Sequence, residues 1–300
     1  MGFGGAVTID LSGWPAPAKV NLFLHVTGRR ADGYHELETL FQLIDLCDEI
    51  EVFVDESGHI SRETGPIGVP PEADLVVRAA QLLKDAVGIP RLGARLRVHK
   101  RIPMGAGLGG GSSDAATTLV ALNTLWSLGL SAGRLAELGA QLGADVPIFV
   151  LGMNALARGI GDQLQPVTLP DQWFAVIFPG VSVPTREVFQ APELTRNSAS
   201  LTIAGFPLPG FSGAILPGHN DLEPVVVARY PAVREALSWL GCRGKARMTG
   251  SGACVFAVFS DRESASAALV DLPSGWQGFV VRGLSRSPLH WRLEQENRRE

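Results

Sequence analysis

Between Pro103 and Ala115 the chain reads P-M-G-A-G-L-G-G-G-S-S-D-A, and five of the seven residues from Gly105 to Gly111 are glycine. A pattern of helical spacing follows at once, with Ala115, Leu119, Leu122 and Trp126 on one face. Backbone bare of side chains at a helix start presents free N–H groups at the positive end of the helix dipole, which suits a phosphate. The same run could be a loop bent for packing, but so dense a set of glycines has little purely structural use there. Glycine is abundant throughout: 35 of 300 residues, or about 12% against a typical ~7%.

The loop is not a Walker A motif, because Ser112, Ser113 and Asp114 follow the glycines where that motif needs a lysine. Gly105-x-Gly107-x-x-Gly110 does satisfy the dinucleotide fingerprint. That pattern should follow the first strand of a βαβ unit and carry an acid ~20 residues on. The stretch Leu125 to Leu130 offers no acid, so a nicotinamide oxidoreductase is the second reading.

Elsewhere strands and helices mix. Alternation in Ala18 to Val26 places Val20, Leu22, Leu24 and Val26 on an apolar face, with Lys19, Asn21, Phe23 and His25 opposite. Leu40 to Ile44 and Ile50 to Val54 read as further strands, as do Ala94 to His99, Trp173 to Phe178 and Ala253 to Phe259. Helices are expected over Asp74 to Val87, Arg134 to Leu142, Asp221 to Ala228, Ala232 to Trp239 and Glu263 to Leu269. Gly205 to Gly218 reads as a long loop, and Arg286 to Glu300 as a flexible end or a short helix. The domain boundary is expected near residue 165, giving segments 1–165 and 166–300.

With 46% hydrophobic and 19% charged residues the chain can fold on its own core. A net charge of −4, with no basic cluster beyond a short mixed end from Arg292 to Glu300, argues against a mainly nucleic-acid-binding role. Cys47, Cys242 and Cys254 are odd in number and widely spaced, as reduced thiols are. No apolar run reaches the ~18 residues of a membrane span, and Met1 to Leu11 lacks signal-peptide character. Cytoplasmic location and no membrane partner are therefore expected.

Lys19 and Asn21 form a pair on the polar face of their strand, facing either solvent or a ligand. Asp145 precedes Val146-Pro147 and reads as a helix N-cap, a position compatible with taking a proton at a cleft. Tyr34 and His35 follow an Asp-Gly turn and suit stacking on a base as well as ordinary packing. Thr249 to Ala253 (T-G-S-G-A) is a tight turn that would approach a ligand only if it meets the first glycine loop.

Taken together and in order, these segments resemble the GHMP kinase superfamily. The resemblance rests on Pro17-Ala-Lys19-Val-Asn21-Leu22, Arg30 to His35 (R-A-D-G-Y-H), Pro103 to Ala115, Gly143-Ala-Asp145-Val-Pro147, Pro184-Thr185 with Phe189, His219 to Glu223 (H-N-D-L-E), and Thr249 to Ala253. It implies an α+β, two-lobed fold, with an N-terminal lobe like the second domain of ribosomal S5 and a ferredoxin-like C-terminal lobe. It further implies transfer of the γ-phosphoryl of ATP, with Mg2+, to an alcohol. In the branch that matches best, the alcohol is a 2-hydroxyl of a methylerythritol unit carried on cytidine diphosphate.

By the same resemblance Asp145 accepts the hydroxyl proton and Lys19 stabilises the charge that builds on the oxygen and phosphoryl. Pro103, Gly105, Gly107, Leu108, Gly109, Gly110, Gly111, Ser112 and Ser113 hold the nucleotide. Tyr34, His35 and Phe189 enclose the cytosine, Asn21 orients the diol, and Lys100 and Thr185 are further substrate-binding candidates. No acidic pair identifies magnesium ligands, and the oligomeric state is not legible. Arg186-Glu187 departs from the neutral residues the pattern would place beside Phe189. Mevalonate, homoserine or sugar kinases are alternatives within the superfamily. A ribokinase-like enzyme using Gly159-Ile-Gly161-Asp162 is a third reading.

Overall fold

The computed structural model describes residues 13–201 and 218–298. In chain order the first half contains β1 (Trp14–Arg29), β2 (His35–Asp55), β3 (Ile60–Thr64), α1 (Leu75–Val87), β4 (Gly93–His99), α2 (Gly110–Leu125), α3 (Ala132–Ala140), α4 (Val146–Leu151), β5 (Ala155–Arg158) and β6 (Gln163–Pro166). The second half contains β7 (Trp173–Phe178), α5 (Thr185–Gln190), α6 (Glu223–Arg229), α7 (Pro231–Gly241), β8 (Ala246–Met248), β9 (Val255–Phe259), α8 (Arg262–Ala267), β10 (Gln277–Leu284) and α9 (Pro288–Asn297). The expected loop Gly205 to Gly218 lies, but for its last residue, outside the described residues, as does the whole of Met1 to Leu11.

Strand β2 is the hub. It pairs antiparallel with β1 along almost its whole length, with β4 over Glu49 to Asp55, with β5 over Thr39 to Phe41, and with β10 at Leu43 and Ile44. The path β3-β4-β2-β10-β7-β9-β8 thereby joins the sheets of both halves. The two strands read at Leu40 to Ile44 and Ile50 to Val54 are one strand of 21 residues. Their polar interval lies at a bulge, where Pro17 pairs with Cys47 and Ala18 with Ile44; the extra residues bend the strand without ending it.

Strand β1 also differs from its alternating pattern, for every residue from Trp14 to Val26 is buried. Trp14 and Ala16 pack with Leu119 and Ile148, Val20 and Leu22 with Phe174 and Phe256, and Leu24 and Val26 with Val225 and Val233. Both faces are therefore covered by helices or by the second sheet, so Lys19 and Asn21 sit in the interior. Helix α2 is likewise buried on all sides from Ser113 to Leu122 rather than along one stripe. Its threonines satisfy their hydroxyls on carbonyls, Thr118 within the helix on Asp114 O at 2.8 Å and Thr117 across to β1 on Pro15 O at 3.3 Å.

Helix α1 follows its reading closely: Asp74 accepts from Val76 N, and Gly88 closes it at φ +66°. Helix α3 starts two residues earlier than Arg134 because Ser131 accepts from Arg134 N. The strands β3, β5, β6 and β8 are too short, at 3 to 5 residues each, for alternation to find them.

The tail beyond Arg286 is helical over Pro288–Asn297, capped by Ser287 on Leu289 N. Leu289 is fully buried with the first-half core, and the Arg292 guanidinium lies 4.7 Å from the Trp14 ring centre. The lobes we propose at 1–165 and 166–300 thus interlock, with the end of the second completing the core of the first. Leu289→Ala is expected to cost about 3 kcal/mol of stability through cavity formation, measured by urea denaturation, whereas a loss under about 1 kcal/mol would mean that α9 is dispensable.

Candidate active site

The glycine loop connects β4 to α2, and its geometry needs glycine at alternate positions. Gly107 and Gly109 both have φ near +75°, a region closed to most residues. A Cβ on Gly107 would lie 2.2 Å from Thr249 O, and one on Gly109 would lie 2.8 Å from the Phe149 ring. Ser113 N is the first amide of α2 to find a carbonyl within the turn, that of Gly109 at 2.9 Å. The preceding amides of residues 110 to 112 are left without a helical partner at the cleft. Strand β4, before the loop, is antiparallel to β2, and after the helices β5 also pairs antiparallel with β2. β4 and β5 do not pair with each other, and the parallel partner of β4 is β3, which precedes it; the loop therefore does not join the first strand of a βαβ pair to its helix, which removes the dinucleotide reading.

The turn at Thr249 to Ala253 does meet this loop. Cys254 N donates to Ala106 O at 3.0 Å, Ala253 N to Gly105 O at 3.3 Å, and Thr249 Oγ1 to Gly107 O at 3.3 Å. Asn220 holds the turn from behind, donating to Met248 O at 2.9 Å and Gly250 O at 2.8 Å. Thr249 and Asn220 have no role that their own motifs declare, and only this contact between distant segments reveals one.

Lys19 and Asp145 are neighbours: Nζ lies 3.2 Å from Asp145 Oδ2. Nζ also donates to Asn21 Oδ1 at 2.6 Å and Gly107 O at 3.2 Å, while Lys19 N donates to Leu108 O at 3.0 Å. Asn21 is fixed in turn by donating to Thr39 Oγ1 and by its own amide donating to Thr249 Oγ1, both at 2.9 Å. Asp145 occupies the N-cap position of α4, yet its side chain makes no capping bond. Its carboxylate is one-third exposed, whereas Lys19 is almost wholly buried. The ion pair therefore opens to the cleft on the acid's side.

These groups line a cleft of about 550 Å³ that also takes in Pro66, Val69, Asp74, Pro103, Met104, Ser112, Thr185, Phe189 and Ser251. Leu108 turns its side chain into the core, so its backbone is what serves the loop. Ser113 is fully buried, absent from the cleft wall, and its hydroxyl has no partner; with Leu108 it is an expected nucleotide-binding side chain that the fold turns away. Arg62 pairs with Asp74 and donates to Val69 O at 2.7 Å, which ties down the segment that carries Pro66 and Val69.

Lys100 sits beside the loop, paired with Asp48 and, at 2.7 Å, with Asp114. Its Nζ is 3.3 Å from a Cβ position on Gly110, so it faces the start of α2 and not the aromatic residues expected around the base. Burial pushes the Asp114 carboxyl up to about 8, with Lys100 opposing and Asp48 adding to the rise. Lys100 itself is raised: burial works against its charge, and Asp114 and Asp48 more than offset that.

Thr185 Oγ1 lies 2.6 Å from Ser251 Oγ. The His35 and Phe189 rings are 5.2 Å apart and tilted by 32°. Tyr34 is 62% exposed at the hairpin tip, beside Asp32, which accepts from its amide at 3.0 Å. Arg186 and Glu187, the departure beside Phe189, are both exposed. Gly159 to Asp162 forms the turn of the β5–β6 hairpin and precedes no helix, so the ribokinase reading falls.

Among the described residues no group of three or more His, Cys, Asp or Glu could hold a metal ion, and no helix is long and apolar enough to cross a membrane. A donor set this sparse fits magnesium only as an ion carried on nucleotide phosphates, which supply most of its oxygen ligands. Ser112 and Asp145 are among the cleft oxygens beside the loop, and such an ion could use them.

Residues 74–153 match the GHMP kinases N terminal domain and residues 212–277 the GHMP kinases C terminal domain. A 4-diphosphocytidyl-2-C-methyl-D-erythritol kinase of Thiobacillus denitrificans is 54% identical over 92% of this chain and 97% of its own. The enzyme of the same description from Nitrosococcus oceani is 52% identical over 92% and 96%. A crystal structure of 4-(cytidine 5'-diphospho)-2C-methyl-D-erythritol kinase is 37% identical, covering 90% of this chain and 98% of its own at a TM-score of 0.75. Homoserine kinase from Cytophaga hutchinsonii shares the fold at 19% identity and a TM-score of 0.70, covering 96% and 98%. The chain belongs to the GHMP kinases, within the family of 4-diphosphocytidyl-2-C-methyl-D-erythritol kinases.

Proposed function

We propose that the protein transfers the γ-phosphoryl of ATP to the 2-hydroxyl of 4-diphosphocytidyl-2-C-methyl-D-erythritol, releasing ADP, in the cytoplasm, as a step toward isoprenoid precursors. The observation that carries this reading is the Lys19–Asp145 pair opening onto the same cleft as the unpartnered amides of 110 to 112. The first suits an alcohol that must lose a proton, and the second suits the phosphate it attacks.

In that reaction a bond forms between the substrate oxygen and Pγ as the bond from Pγ to the bridging oxygen of ADP breaks. Asp145 takes the hydroxyl proton. Lys19, held on Asn21 Oδ1 and Gly107 O, keeps a positive charge beside the attacking oxygen. The loop amides bind the phosphate oxygens, and Asn21, held by Thr39 and Thr249, orients the diol. Magnesium, when bound with ATP, neutralises phosphate charge. Phe189 and His35 form the wall against which the cytosine rests, with Tyr34 closing over it from the hairpin tip.

Purified protein given ATP and the cytidyl substrate should release stoichiometric ADP, whereas turnover of mevalonate or homoserine instead would assign it to another branch of the superfamily. Asp145→Asn should lower kcat by at least about 100-fold, the lower end of general-base contributions, while nucleotide affinity by calorimetry changes little. Near-normal kcat in that variant would remove Asp145 from the proton transfer. Tyr34→Ala should raise KM for the cytidyl substrate about tenfold, the scale of one lost aromatic contact, and KM for ATP far less. Equal increases would place Tyr34 outside the base site.

A further inference from the structure

Arg196 belongs to none of the recognised motifs. It lies after α5, and its guanidinium gathers four acceptors. Nε donates to His35 Nε2 at 3.0 Å, one terminal nitrogen to Leu194 O at 3.0 Å, and the other to Phe189 O at 3.1 Å and Ala191 O at 2.7 Å. One side chain therefore ties the imidazole at the start of β2 to the backbone of the residue whose ring it faces.

The chemistry of that contact decides where the His35 hydrogen lies. A guanidinium only donates and keeps its proton, so His35 Nε2 must accept. An imidazolium would carry hydrogen on both nitrogens, so the ring is neutral with its hydrogen on Nδ1. Burial, then the positive charges of Arg196 and Arg29, lowers the His35 pKa and favours the same neutral form. Glu193, the acid nearest on the Arg196 segment, is paired with Arg229 at 2.6 Å. Among the described residues no group bonds His35 Nδ1, which leaves one N–H donor for a ligand beside Phe189.

We propose that Arg196 sets the base preference of the site by fixing His35 as the neutral tautomer whose Nδ1–H donates to N3 of the pyrimidine. The proposal rests on the cytidyl-substrate reading above. N3 of cytosine is an acceptor and completes the bond. N3 of uracil carries a hydrogen, so two donors would meet and both would stay unpaired in a half-buried site, the situation that gives the largest discrimination between close analogues. Arg196 acts through His35 and is a positioning residue; it touches neither the base nor the reacting atoms.

The test uses the full chain with the cytidyl substrate and its uridyl counterpart. The unaltered protein is expected to prefer the cytidyl compound by at least about 100-fold in kcat/KM. Arg196→Met should cut that ratio to about tenfold or less, with the loss falling on KM for the cytidyl compound more than on kcat. Arg196→Lys, which keeps a donor, should restore most of the ratio. Long-range 15N–1H spectra should show the His35 hydrogen on Nδ1 in the unaltered protein and on both nitrogens in exchange in Arg196→Met. Equal losses for both compounds, or a hydrogen on Nε2 in the unaltered protein, would overturn the proposal. Failure of the unaltered protein to use either compound would instead sink the substrate reading, and the spectra would still decide the tautomer.

Discussion

A lysine ammonium buried against the glycine-rich loop constrains this fold more than any other single group. Removing an ammonium from water is tolerable only where acceptors surround it. Lys19 has three: Asn21 Oδ1 on its own strand, Gly107 O on the nucleotide loop, and the Asp145 carboxylate before α4. Each comes from a different part of the chain, so meeting the demand of one charge fixes the positions of β1, the loop and α4 relative to one another. The same charge, already desolvated on three sides, is strong where the cleft begins, because field strength rises as water is excluded.

The second constraint is backbone against backbone. The loop at 105 to 109 and the turn at 249 to 253 approach so closely that a side chain at Gly107 would overlap Thr249 O and one at Gly250 would press on Gly107 O at 3.0 Å. Their bonds run through carbonyls and amides of residues 105, 106, 253 and 254, so the contact depends on backbone shape and little on side-chain identity. It also welds the second half of the chain to the first at the mouth of the cleft. A nucleotide held by α2 therefore meets a wall contributed from more than 100 residues away.

Much of the site was legible because its chemistry demands unusual residues in unusual density. Glycines at 105, 107 and 109, a lysine two residues from an asparagine on a strand, and an aspartate before a proline-started helix are all visible in one dimension. What the chain order concealed was contact. Alternation along Ala18 to Val26 described a strand with one wet face, since nothing local could announce that the glycine loop, Asp145 and Thr249 would close over Lys19 and Asn21. The pairing of Lys100 with Asp48 and Asp114 was hidden for the same reason, as 52 residues separate the first two partners. Strand β10 went unread, and the tail was left between a flexible end and a short helix, because a run ending in Arg282-Gly-Leu284 and a charged tail carry weak periodicity; the places of β10 and α9 are set by β7, β2 and Trp14. Arg196 sits between Thr195 and Asn197 with no pattern at all, and only its four acceptors mark it.

Asp145 shows how a local rule can be set aside for chemistry. An aspartate at an N-cap normally accepts from the amide at the second or third helical position, which is worth about 1 kcal/mol. In α4 the second position is Pro147, which has no amide hydrogen to offer. The proline also presets the φ that the first turn needs, so the helix starts without help from the carboxylate. Val146 N is taken by Gly143 O at 3.1 Å, and Gly152 closes the other end at φ +67°. With its capping partner half removed, the Asp145 side chain has no strong competitor inside its own helix and turns to Lys19. A proline at position 147 thus does more than begin a helix: it releases the acid that faces the cleft.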